Sequence, residues 1–131
     1  MKNFIVLFFL TITFTSCAGS VNNENVQNVS ALDLQEVFLN GSEYLVIDLR
    51  TPQEFNRGHI ENAININFYG NDFWDKMLKT ADEPKDIIVY CASGNRSSRI
   101  FSTYMEHRQG KVYHLNRGFQ DWVRNNLPIK N

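Results

Sequence analysis

The chain has 131 residues, 43% of them hydrophobic, with 13 Lys and Arg set against 14 Asp and Glu for a net charge of −1. That length suits one domain around one core, and so balanced a charge offers no electrostatic case for nucleic acid or an anionic membrane surface. Of the reactive side chains, Cys17 and Cys91 are the two cysteines, and His59, His107 and His114 are too scattered for metal-ligand spacing, so no metal or other cofactor is expected.

The chain opens with Lys2 and an apolar stretch over residues 4–14, softened by Thr11 and Thr13. Such a stretch is too short to span a bilayer and fits the core of a signal peptide over residues 1–16. Phe14-Thr15-Ser16-Cys17 resembles a bacterial lipobox, with Phe14 where leucine is usual. The expectation is an exported protein, lipid-anchored through Cys17 to a bacterial cell membrane, with its domain on the periplasmic or extracellular side. Ordinary secretory cleavage near Ala18, or a retained anchor, is the alternative. Residues 17–28 are polar and rich in Asn, which predicts a flexible tether before a domain over 29–131. A lipidated Cys17 is a thioether and cannot pair, so Cys91 is expected to be a lone thiol in a monomer.

Ser30 and Asp33 mark a helix start, and Leu32, Leu34, Val37 and Phe38 keep helical spacing up to Asn40-Gly41. Residues 44–49 form an apolar run that predicts a central strand. Thr51-Pro52-Gln53-Glu54 is a capping box with proline at the first helical position. The short helix it opens stops before Gly58. Arg50 and Glu54 stand four apart and are expected to pair there, while His59 is expected to hydrogen-bond within the turn. A short strand over 63–66 and a helix over 72–79 follow. The aromatic cluster Phe68, Tyr69, Phe73 and Trp74 is core, with part of it available to line a pocket mouth. Asp86-Ile87-Ile88-Val89-Tyr90 reads as a buried strand, residues 97–108 as a helix, 112–115 as a last strand and 119–125 as a last helix. Strands alternating with helices predict an α/β fold with a mostly parallel sheet covered on both faces.

Cys91-Ala92-Ser93-Gly94-Asn95-Arg96-Ser97 joins the buried strand to the next helix. Ligands of such sheets gather at the carboxyl ends of the strands, which is where Cys91 falls. Gly94 permits a backbone turn that aims successive amides inward, and a helix start adds further N–H groups. A free thiol titrates near 8.5, and those groups lower it, so the loop is a site for a nucleophilic thiolate. The competing reading is a small buried hydrophobe at the end of a core strand.

The same loop resembles the active-site loop of single-domain rhodaneses, which are sulfurtransferases. Val46-Ile47-Asp48-Leu49-Arg50-Thr51-Pro52-Gln53-Glu54-Phe55 and Arg57-Gly58-His59-Ile60 resemble that family's first motif. Asn116-Arg117-Gly118-Phe119-Gln120-Asp121-Trp122 resembles its closing Gly-Gly-x-x-x-Trp element, with Arg117 in place of the first glycine. The resemblance implies a three-layer α/β/α fold and a Cys91 persulfide as the intermediate. It places Ala92, Ser93, Gly94, Asn95, Arg96 and Ser97 around the bound sulfur, and its partners are a small sulfur donor and a thiol or cyanide acceptor. Ala92 stands where many members carry a cation, which argues against strong thiosulfate binding; Arg117 either restores a rim charge or is an ordinary exposed arginine. Arg96 has two readings, steering an anionic donor or bracing the loop. Related folds also carry cysteine-dependent phosphatases and arsenate reductases, whose loops are one residue longer. A docking module would lack Cys91, and a dedicated sulfur carrier would need the same loop as an enzyme.

Overall fold

The computed structural model describes residues 23–131, so the expected signal peptide, Cys17 and the first part of the expected tether lie outside the described residues. Five strands form one sheet: β1 (Val26–Val29), β2 (Tyr44–Asp48), β3 (Ala63–Asn65), β4 (Asp86–Tyr90) and β5 (Val112–Leu115). Their order is β1-β5-β4-β2-β3 and every pairing is parallel, which sharpens the expected mostly parallel sheet. β4 runs through the middle, and its apolar run follows from that place: Ile87, Ile88, Val89 and Tyr90 are all fully buried.

Alternation along β4 divides the core. Ile87, Val89 and Cys91 face one side, with Phe73 and Met77 of α3 (Phe73–Lys79) and Phe101 and Tyr104 of α4 (Phe101–Tyr104). Ile88 and Tyr90 face the other, with Leu34 of α1 (Ala31–Leu39) and Trp122 of α5 (Gly118–Arg124). Helices thus cover both faces in three layers. Both helix starts read from sequence are capping boxes: Ser30 with Asp33 opens α1, and Thr51 with Glu54 opens α2 (Pro52–Asn56).

Two expectations need correction. Part of the expected tether belongs to the fold: Asn23–Asn25 is a 3-10 turn and Val26–Val29 is an edge strand paired with β5. Only Val29 of that strand is buried, so its alternation is too short to emerge from an Asn-rich run. The helix expected over 97–108 is instead a 3-10 turn, Ser97–Arg99, followed by the single turn of α4. The Ser97 hydroxyl bonds back to the Gly94 carbonyl at 3.2 Å, a local alternative to helical bonding. At the far end Arg108 is buried and its terminal nitrogens donate to the carbonyls of Ala81, Glu83 and Lys85.

Candidate active site

Cys91 leaves the carboxyl end of β4, and the β5–α5 connection holds the loop that follows. The Phe119 amide donates to the Cys91 carbonyl at 2.7 Å and the Gln120 amide to the Ala92 carbonyl at 3.0 Å. Gly118 sits at φ 67°, and a Cβ there would run into the backbone of Ala92 and Ser93. Gly94 sits at φ 92°, with the Asn116 carbonyl filling the space a Cβ would need. Both glycines are required by backbone angle and by contact.

The loop turns its polar groups onto the sulfur. The Gly94 amide donates to Cys91 Sγ at 3.1 Å, and the Ser97 hydroxyl lies 3.4 Å from it. Burial pushes the thiol up, but the Ser97 hydroxyl and the amides of Ser97, Ser93 and Gly94 outweigh it and hold Cys91 below its ordinary value. Cys91, Gly94 and Ser97 are buried, Ala92 and Arg96 are half-buried, and Ser93 and Asn95 form the exposed rim.

Behind the sulfur a polar chain runs from the buried Ser97 and His114 out to the exposed Asn28. The Ser97 hydroxyl meets His114 Nε2 at 2.7 Å, and His114 Nδ1 meets Asn28 Oδ1 at 2.8 Å. The register aligns these groups, because His114 pairs with Val89 on one side and Asn28 on the other. Burial drives the His114 imidazole down to about 4, so it is neutral at pH 7. Asn28 lies inside the stretch read from sequence as tether. A polar residue two places after Val112, on the apolar face of a strand, was the signal for His114.

Arg96 braces the loop. Its two terminal nitrogens donate to the two oxygens of Glu54, each at 2.8 Å. The Arg96 fork, followed by the bond from Thr51, outweighs burial and lowers the Glu54 carboxyl to about 2. The expected Arg50–Glu54 pair does not form. Arg50 instead clasps Asp48 at 2.7 Å, donates to the Gly58 carbonyl, and lies over the Phe119 ring at 3.9 Å. The polar Gly58 carbonyl and the buried Asp48 draw it inward, leaving Glu54 free for the loop. His59 Nδ1 meets the Phe55 carbonyl at 3.1 Å, as expected of a turn residue. Of the aromatic cluster, Phe73 is buried in the core; Tyr69 is exposed beside the Arg96 guanidinium, 5.7 Å from it.

No group of three or more His, Cys, Asp or Glu side chains converges among the described residues. What the loop offers is one thiol of lowered pKa in a ring of donors, suited to nucleophilic attack and to holding an anion attached to the sulfur.

Residues 30–125 match the family model of the rhodanese-like domain. The chain belongs to the rhodanese-like family. This rhodanese-like domain is 27% identical over 104 residues to a sulfurtransferase of Allochromatium vinosum, across 79% of this chain and 94% of the relative. It is 30% identical over 112 residues to thiosulfate sulfurtransferase 16, chloroplastic, of Arabidopsis thaliana, across 79% of this chain and 92% of that protein. Its fold matches the crystal structure of a rhodanese-related protein from Thermoplasma volcanium with a TM-score of 0.67 and 30% identity, across 79% of this chain and 97% of that one. The rhodanese-like fold carries the motifs read from sequence, and Gly118, not the residue before it, is the sterically required member of the closing pair.

Proposed function

We propose that the protein is a sulfurtransferase that moves sulfane sulfur from a donor such as thiosulfate to a thiol or cyanide, through a persulfide on Cys91. The observation that carries this reading is the Cys91 sulfur facing the Gly94 amide at 3.1 Å inside a loop free of acidic side chains. The Cys91 thiolate attacks the outer sulfur of the donor; a new S–S bond forms, the donor's own S–S bond breaks, and sulfite leaves with the electron pair. The loop amides then hold the anionic terminal sulfur. In the second half the acceptor attacks that sulfur, and Cys91 departs as the thiolate with its electron pair restored. The course is ping-pong. The names of the relatives support sulfur transfer. Complete burial of Cys91 favours small donors and acceptors over delivery to a partner protein's surface.

Mass spectrometry of the protein after thiosulfate treatment should find one added sulfur atom on the Cys91 peptide, removed by cyanide and absent in Cys91→Ser. An unmodified Cys91 across a panel of sulfane donors would end this reading. We further propose the lipid-anchored, exported state argued from Phe14-Thr15-Ser16-Cys17. Cys17→Ser should release the protein from the membrane fraction with its sulfur transfer intact; continued need for detergent would count against lipidation.

A further inference from the structure

We propose that Arg117 is the cation that recruits anionic substrates to Cys91, a specificity-determining role; this rests on the reading of Cys91 as the sulfur-accepting nucleophile. Between Cys91 and Arg96 the loop carries Ala92, Ser93, Gly94 and Asn95, none of them charged. Arg96 is the nearest cation in sequence, yet both its terminal nitrogens are taken by Glu54, and only 15% of its side chain is exposed. A neutralised, internally bonded guanidinium gives little pull to an approaching anion. Arg50 is spent in the same way on Asp48, at 6% exposure.

Arg117 differs from both. It is exposed, and as the residue before α5 it makes no side-chain cap bond; no ion pair or hydrogen bond holds its side chain among the described residues. Two turns on, Arg124 faces Asp121 at 3.6 Å, so Arg117 is the cation this segment leaves unanswered. Its backbone is fixed against the catalytic loop from both neighbours. Asn116 presses its carbonyl onto Gly94, and Gly118 packs on Ala92 and Ser93. The next two amides bond the Cys91 and Ala92 carbonyls. A long flexible cation is therefore rooted at the rim of the loop, at the carboxyl end of the sheet where ligands enter. An exposed charge in that position raises the local concentration of anions and speeds encounter, without taking part in bond making.

The test compares two alkylating reagents of similar size, anionic iodoacetate and neutral iodoacetamide, with the full chain and with modification read on the Cys91 peptide. In both, the Cys91 sulfur forms a bond to carbon and iodide leaves, so access and nucleophilicity cancel in the ratio. Arg117→Gln should slow iodoacetate by about three- to tenfold and leave iodoacetamide unchanged, and Arg117→Lys should restore the iodoacetate rate. Salt near 1 M, where screening acts over about 3 Å, should erase the difference between wild type and Arg117→Gln. With thiosulfate, Arg117→Gln should raise KM by a similar factor with kcat unchanged. Equal change with both reagents, or no change with iodoacetate, overturns the proposal. A shift confined to iodoacetate in a protein that never acquires sulfur on Cys91 would uphold anion recruitment by Arg117 while removing the sulfurtransferase reading.

Discussion

Each oxygen of the Glu54 carboxylate accepts from one terminal nitrogen of Arg96, both at 2.8 Å. The same carboxylate accepts from the Thr51 amide at 2.9 Å, so one side chain caps α2 and anchors the Cys91 loop. The start of a helix and the position of the nucleophile are thereby coupled across 42 residues of chain.

Arg96→Lys keeps the charge but loses the planar fork. It should cost about 1.5–3 kcal/mol of stability, the range for hydrogen bonds to charged groups, and lower sulfur transfer in proportion to the loosened loop. Glu54→Gln should act alike, because it removes the same pair from the other side. Thermal unfolding beside turnover checks this; activity lost with unfolding unchanged would reassign Arg96 to direct contact with the donor.

The same pair has a pH signature. In the fold the Glu54 carboxyl lies at about 2, below its ordinary 4.5. A carboxyl depressed in the folded state stabilises fully above 4.5, and that contribution is lost as pH falls towards 2. His114 acts in a separate window. Its folded value of about 4 is below the ordinary 6.5, so the unfolded chain binds the proton more readily between them. Stability should therefore decline first from pH 6.5 towards 4, a step missing in His114→Phe, then from 4.5 towards 2, a step missing in Glu54→Gln. Denaturant melts across pH 2–8 resolve the two; a flat wild-type profile from 6.5 to 4 would contradict the buried neutral His114.

The central features of the site were legible because they are local. The capping box at Thr51, the β-branched run into Cys91, and Gly94 each act within a few residues of chain. The groups that escaped sequence are joined only by the sheet. Asn28 reaches His114 because β1 pairs with β5, and nothing in the run Asn-Val-Gln-Asn-Val announces that strand. Glu54 was assigned to Arg50 by helical spacing, whereas the buried Asp48 takes Arg50 and leaves Glu54 to Arg96. Proximity in sequence lost to the stronger demand of a buried charge for a partner. The long helix expected after Cys91 failed for a related reason: Ser97 turns its hydroxyl back to Gly94 and the sulfur.

Gly118→Ala and Gly94→Ala should both be damaging, while Arg117→Ala should leave the fold unchanged. Each glycine has a positive φ and a backbone neighbour where a methyl would go. Overpacking of this kind costs about 1–3 kcal/mol, and here the groups forced to move carry Cys91. The expected result is a lowered melting temperature and slower Cys91 alkylation for both variants, with Gly118→Ala acting through Ala92 and Ser93. Wild-type alkylation in Gly118→Ala would show that α5 does not set the loop.

The loop should reject phosphate esters. Phosphatase and persulfide chemistry both start from a thiolate among amides, so Cys91 alone does not decide between them. A persulfide adds one outer sulfur, whereas a phosphoryl group brings three equatorial oxygens that each need donors. Four residues separate Cys91 from Arg96, and the loop cannot widen at Gly94, which already lies against the Asn116 carbonyl. Arg96, the one cation of the loop, is held by both oxygens of Glu54 and is not free to clamp a transferring group. The expected outcome is Cys91-dependent transfer of sulfur from thiosulfate to cyanide with no turnover of p-nitrophenyl phosphate. Inserting one residue between Ser93 and Gly94 should enlarge the ring and shift binding towards phosphate or arsenate. Robust phosphatase activity of the wild type, lost in Cys91→Ser, would show that the ring opens further than its contacts with Asn116 and Gly118 allow.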